Sequence, residues 1–289
     1  MTTINAHVHM EPDDNPVEIE SSEVQDNSSS TDSLRDSIFD FRRENGRTYH
    51  KYKEGINTIS VSLRVQSAQR YRRTPAIGLL ALTCRLFSQA FDSVPANVQF
   101  ELDDIDEDWT YSEPFDFVHS RFMNFSVQNW KSYLTKIYEN LTPGGYVELQ
   151  DVDVIMGSDD GTLKPDTTMY KWCQLLDEAA GTFNRSFERT TNFKTLLQEI
   201  GFVEVVETRY KWPTNGWPRD KKYKELGHWN NANASSALEA LTMAPFTRGL
   251  GWSREEVESF LVALKIDWNN PKIHAYWPIC VTYAKKPEA

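Results

Sequence analysis

The sequence has no glycine-rich turn at the place where an α/β nucleotide-binding sheet would need one. Between Ile56 and Thr142 the only glycine is Gly78, flanked by Ile77 and Leu79, so no Gly-x-Gly-x-Gly loop can be drawn ahead of the clear strand signals. Cysteine is equally scarce. Cys84, Cys173 and Cys280 lie far apart with no C-x-x-C pair, which argues against a disulfide framework and a zinc site and leaves them as buried thiols. No stretch of about 18 apolar residues occurs, and the N-terminus lacks the basic start and apolar core of a signal peptide. These absences predict a soluble, intracellular protein with no metal and no membrane partner.

Charge of one sign is concentrated rather than spread. The chain of 289 residues has a net charge of −11, but residues 1–40 hold ten acidic side chains against Arg35 alone, a local net of −9 that leaves −2 on the remainder. A near-neutral body with an acidic leader has no electrostatic footprint for nucleic acid, so direct DNA binding is not expected. The leader is rich in Ser and Asn and nearly free of large apolar residues. It cannot bury enough surface to offset its ordering entropy, and residues 1–36 are expected to be a disordered tail, either merely solvating or a partner-binding arm.

One domain over 37–289 accounts for the rest. Structure is expected to begin near Ser37, where Ile38, Phe39 and Phe41 lead into a helix-like, aromatic and basic segment from Arg42 to Tyr52, and Ile59–Val65 alternates with the period of a half-buried strand. Residues 66–93 fit no pattern. From Asn97 the grammar becomes regular: Val98–Leu102 and Phe115–Val118 suit buried strands. Val127–Leu141 carries Trp130, Tyr133, Leu134, Ile137, Tyr138 and Leu141 on one helix face, and Pro143-Gly144-Gly145 is expected to stop that helix and turn into a strand at Tyr146–Leu149. Helices follow at 167–182 and 190–200, the second capped by Gly201. A strand at 202–210, helices near 218–229, 236–248 and 253–267, and a closing strand over 273–283 complete the set. Ser253 and Glu256 form a capping-box signature. Alternating strands and helices predict an open, mostly parallel α/β sheet with helices on both faces.

In such sheets ligands sit beyond the carboxyl ends of the strands. The residues there are Asp103, Asp104 and Ile105, then His119, Ser120 and Arg121, then Gln150 to Asp153. Strand-end carboxylates can accept hydrogen bonds from an adenine amino group or ribose hydroxyls, or can be turn formers with solvated charge. His119 is a candidate general base by its near-neutral titration, with a hydrogen-bonded structural histidine as the alternative. No metal-ligand spacing and no Ser-His-Asp arrangement can be defended.

Several separate stretches, in order, carry a resemblance: Phe41 to Lys53, Asn97 to Asp153, Asp160-Gly161-Thr162-Leu163, Trp212-Pro213, Gly249-Leu250-Gly251-Trp252-Ser253, and Ile273-His274-Ala275-Tyr276-Trp277-Pro278. Together they resemble the fungal LaeA-like methyltransferases of the S-adenosylmethionine-dependent class I superfamily. The resemblance implies a Rossmann-like, seven-stranded sheet and methyl transfer from S-adenosyl-L-methionine to a small-molecule or protein acceptor. It also implies a link to secondary metabolism or its regulation, with possible regulatory partners, in the cytoplasm or nucleus. Carried over by residue, it puts Asp104 and Ile105 beside the adenine with Asp103 adjacent, and His119, Ser120 and Arg121 beside the methionine part. Tyr49 and Tyr52 fall in an aromatic leader over the cofactor.

The first strand, its glycine turn and the ribose-binding acid of that family have no counterpart here, so the first strands should be disrupted and cofactor affinity impaired. A non-catalytic homologue acting as a binding or regulatory protein is the alternative. One codon choice for Leu80 to Phe91, read two bases on, spells Gly-Ile-Asp-Leu-Ser-Pro-Ile-Gln-Pro-Ser-Phe, which is similar to the family's second-strand motif. This predicts a frame error over roughly residues 56–94.

Overall fold

The structure, a computed structural model, describes residues 9–13, 41–44, 47–50, 60–65, 98–103, 105–185 and 187–288. Its centre is a four-stranded sheet of β5 (Phe115–Arg121), β6 (Leu141–Val152), β8 (Tyr276–Lys285) and β7 (Val203–Pro213), in that spatial order. The pair β5 and β6 is parallel, and β8 runs antiparallel to both of its neighbours, β6 and β7. Strands β5, β6 and β7 therefore point one way and only the last strand is reversed, so the expectation of a mostly parallel direction holds within a mixed ladder.

Two further ladders stand apart from this sheet. β1 (Phe41–Glu44) pairs antiparallel with β2 (Arg47–His50), replacing the helix expected there. The sequence offers a reason: Glu44 faces Arg47 across Asn45-Gly46, the dipeptide that favours two-residue hairpins. β3 (Ser60–Val65) pairs antiparallel with β4 (Val98–Asp103), so neither segment joins the main sheet. The serine alternation of β3 suits such a one-sided ladder better than a strand buried on both faces.

One core lies under β5 and β6. Val118, Val147 and Leu149 meet Trp130, Tyr133, Leu134 and Ile137 of helix α1 (Trp130–Glu139) and Phe193 and Leu197 of α3 (Phe193–Ile200). The opposite face of these strands is half-buried at Phe117, His119 and Glu148. Helix α1 ends earlier than expected, at the Asn140 cap, and Pro143-Gly144-Gly145 lies inside β6. There the register places Thr142–Gly145 opposite Asp116, between the pairs Phe115–Leu141 and Phe117–Tyr146. Gly145 is confined: a Cβ would lie 2.9 Å from the Thr142 carbonyl oxygen and 3.1 Å from that of Asp116.

A second core gathers α2 (Thr168–Thr182), α4 (Lys221–Ala244) and α5 (Arg254–Asn269) around Trp172, Trp268, Phe246 and Leu264, against Val154 and Met156 beyond β6. Trp172 donates its indole N–H to Thr242 Oγ1 at 2.8 Å, and the rings of Trp172, Trp268 and Trp277 pack edge-on, with centroids 6.0 to 6.3 Å apart. The caps read from sequence are in place. Gly201 adopts φ +113 after α3, and Ser253 and Glu256 form a reciprocal capping box at α5. In place of two helices over 218–248, α4 is continuous for 24 residues and runs into a π-helical turn at Pro245–Gly249.

Five residues of the acidic leader are described. Residues 9–13 are docked on the segment 217–219, with the Met10 side chain buried. The remainder of 1–36 lies outside the described residues.

Candidate functional site

The carboxyl end of β5 is held by buried polar groups that are already committed. Ser120 is buried and its Oγ accepts from the Tyr133 hydroxyl at 3.1 Å. The carboxylate of Asp151, at the end of β6, accepts from the Met123 amide at 2.8 Å and the Val152 amide at 2.9 Å. Its burial pushes the Asp151 carboxyl up to about 7, against the pull of those amides. Asn124 donates to the Val152 and Glu188 carbonyls at 3.0 and 2.8 Å, and Asp153 accepts from the Thr190 amide at 2.8 Å. These bonds fix the turn after β5, in which Phe122 takes the left-handed φ of +52. Arg121 is exposed, its guanidinium 4.9 Å from the Phe122 ring centroid, and that ring meets Trp212 edge-on at 6.2 Å.

The sequence-derived candidates are distributed unevenly over this geometry. His119 sits directly across from Glu148 in the ladder, with Nδ1 3.0 Å from Oε1, a cross-strand pair on the half-buried sheet face. A carboxylate partner of this kind orients the ring, as both a structural histidine and a general base require. Ile105 is buried in the first core, and its carbonyl accepts from Lys136 Nζ at 3.2 Å alongside those of Asp106 and Glu107, both at 2.7 Å. Asp103 ends β4 and Tyr49 lies in β2; Asp104 and Tyr52 fall outside the described residues.

S-adenosylmethionine would require close backbone approach at this edge. The stretch ahead of β4 where the family's glycine turn would stand lies outside the described residues, and among the described ones Ser120 and Asp151 are engaged in internal bonds.

A different cluster, beyond the carboxyl ends of β6 and β7, is built from residues more than fifty positions apart. Asp159 accepts from the Tyr276 hydroxyl at 2.7 Å and pairs with Lys211, whose Nζ lies 4.7 Å from the Tyr276 ring centroid. Partial burial opposes ionisation of Asp159, but the bonds from Lys211 and Tyr276 outweigh it and hold the carboxyl below its ordinary range. Burial and the adjacent carboxylate push the Tyr276 phenol up. Gly157 makes this possible, since a Cβ there would lie 2.6 Å from the Tyr276 ring.

Next to it, Asp160 pairs with His274 Nδ1 and accepts from Ser158 Oγ at 2.9 Å, Thr162 Oγ1 at 2.8 Å and the Thr162 amide at 3.1 Å. Partial burial works against the Asp160 carboxylate, yet His274, Thr162 and Ser158 hold it well below the usual carboxylate range. The His274 amide closes the loop on Thr162 Oγ1 at 2.8 Å, and the imidazole lies 5.1 Å from the Trp217 ring centroid. His274 Nε2 has no hydrogen-bond partner among the described residues. Sequence reasoning quoted these stretches as motifs but assigned them no chemistry, because nothing in spacing alone joins Asp160 to His274.

An open α/β sheet whose last strand is reversed between its two predecessors, with polar groups gathered past the carboxyl ends, defines a Rossmann-like protein. The methyltransferase-domain family matches residues 47–208, and the chain belongs to it. "Probable methyltransferase tdiE" of Emericella nidulans is 37% identical over 186 residues, 64% of this chain and 58% of that protein. Methyltransferase pytC of Aspergillus terreus is 36% identical over 193 residues, 67% and 60% respectively. The secondary metabolism regulator LAE1 of Cochliobolus heterostrophus is 32% identical over 228 residues, 78% and 73%. The matched part thus spans about 58 to 60% of the length of tdiE and pytC. No described helix is long and apolar enough to cross a membrane.

Proposed function

We propose that this chain descends from an S-adenosylmethionine-dependent methyltransferase of fungal secondary metabolism or its regulation, and that its acceptor side is intact while its cofactor side is depleted. The methyl acceptor is a small molecule or a protein, held at the Asp159–Asp160–His274 edge; the chain acts in the cytoplasm or nucleus, with regulatory protein partners and without direct contact to nucleic acid. Family membership and similarity to tdiE, pytC and LAE1 support the class. The observation that carries the depletion is the lack of a Gly-x-Gly-x-Gly turn between Ile56 and Thr142, where Gly78 stands alone. Without such a turn ahead of β4, side chains stand where the backbone would have to approach a bound nucleotide closely.

Titration calorimetry with S-adenosylmethionine is the test, and weak or absent binding is expected. A micromolar dissociation constant, lost in Asp104→Ala, would overturn the depletion and show that the segment around Ile59–Arg73 rebuilds the site. The same absence favours a second reading, a non-catalytic homologue acting as a binding or regulatory protein.

A further inference from the structure

The two outer strands of the four-stranded sheet are finished differently. On β5, Val118 and Ser120 are 0% and 1% exposed, so that border is packed over. On β7 every residue from Val203 to Trp212 is at least partly exposed, and Tyr210 is 51% exposed. β7 pairs with β8 alone, and the backbone groups of Val206–Lys211 that point away from β8 have no hydrogen-bond partner among the described residues. A border of this kind is a template for a further strand.

The ends of this border are protected and its middle is not. Glu204 takes a left-handed φ of +52 where the register shifts between Val203 and Val206, a bulge that bends the strand, and Pro213 at the other end has no N–H to offer. Between them, Val206-Glu207-Thr208-Arg209-Tyr210 is its own complement. An acid and a base flank Thr208, and an apolar side chain stands beyond each. Laid antiparallel on a second copy about Thr208, the segment sets Glu207 across from the second copy's Arg209 and Val206 across from the second copy's Tyr210. Opposite charges and aromatic–β-branched pairs are the favourable cross-strand combinations. Arg209 Nε donates to Glu207 Oε1 at 2.8 Å within one chain, and the two Nη groups have no hydrogen-bond partner among the described residues. The second copy's Glu207 supplies an acceptor on that same face. On the other face Val206 lies across from Tyr283, which is 40% exposed, so the second copy's Tyr210 extends an existing row.

We propose that the outer border of β7 is a self-association surface, at which a second copy of this chain pairs antiparallel about Thr208 and joins the two sheets across a two-fold axis. The ladder is short against the area that a permanent dimer buries, so the association is weak and concentration-dependent. It depends on neither the cofactor nor the acceptor reading.

Sedimentation velocity of the full chain over a range of micromolar concentrations should show a monomer–dimer equilibrium. Thr208→Lys, which sets two like charges on the axis, should weaken the dimer several-fold while the circular dichroism and melting midpoint stay those of the parent chain. Arg209→Glu should also weaken it, and adding Glu207→Arg, which restores the complement with the signs exchanged, should bring the dimer back. Under mild oxidation Thr208→Cys should form a disulfide-linked dimer, whereas Ser236→Cys, on the exposed side of α4, should not. A parent chain that stays monomeric throughout, or a dimer that Thr208→Lys leaves unchanged, would overturn the proposal. Should the charge reversals unfold the chain, Thr208→Cys decides: no cross-link beyond that of Ser236→Cys refutes the pairing.

Discussion

The buried carboxylate of Asp151 accepts the amide of Met123 at 2.8 Å, pinning the turn that ends β5 to the end of β6. Burial raises this carboxyl to about 7, well above the ordinary 3.8. The folded state then holds a proton that the unfolded chain releases, so its contribution to stability falls as pH rises between about 4 and 7. Thermal melts should show a midpoint several degrees lower at pH 8 than at pH 5, and Asp151→Asn should flatten that slope. An equal slope in the variant would refute the assignment.

A second prediction concerns Arg185, whose side chain is 1% exposed, pairs with Asp106 at 2.8 Å and also donates to the Ser126 carbonyl. Breaking a buried pair by removing one partner leaves an uncompensated charge and costs about 3–5 kcal/mol. Arg185→Ala should lower the urea midpoint accordingly, whereas Lys131→Ala, which breaks the surface pair with Glu199, should cost about 0–1 kcal/mol.

Two glycines should respond differently to alanine. At Gly227 a Cβ would meet the Asn215 carbonyl oxygen at 2.0 Å, so α4 must shift and the loss should be at least about 1–3 kcal/mol in chemical denaturation. Gly161 has nothing within 4 Å but a φ of +72, and Gly161→Ala should cost only the left-handed penalty of about 1–2 kcal/mol.

The origin of residues 56–94 is a question for the transcript. Sequencing should reveal a frame error or misplaced intron over this stretch, restoring a glycine turn and an acidic second-strand end. Confirmation of Ile56–Ser93 in the present frame, with codons that do not encode the shifted motif, would sink this explanation and make the segment a divergent replacement.

How far the sequence speaks depends on whether local chemistry or distant contacts decide. Gly201 and the Ser253–Glu256 box were legible because capping is settled within one turn. The break expected between 229 and 236 was not real, because Asn230 and Asn231 are held by remote partners: Asn230 donates to the Pro213 carbonyl at 2.8 Å and Asn231 to that of Thr214 at 3.1 Å. Tertiary bonds there override the low helix propensity of asparagine. His119 was attractive by position and turned out to face Glu148, whereas His274 was overlooked since its carboxylate partner is 114 residues away in sequence.

The reversed β8 has a consequence for synthesis. β6 and β7 share no described backbone bond and meet only through the strand between them, which comes after α4 and α5 in the chain. A growing polypeptide must therefore carry two unzipped strand borders past the ribosome exit until Tyr276 and its successors emerge. Bare borders of this kind invite pairing with other chains. A slowed or stalled ribosome between residues 213 and 276 would thus present the nascent protein at its stickiest, and the final strand acts as the seam that ends this exposure.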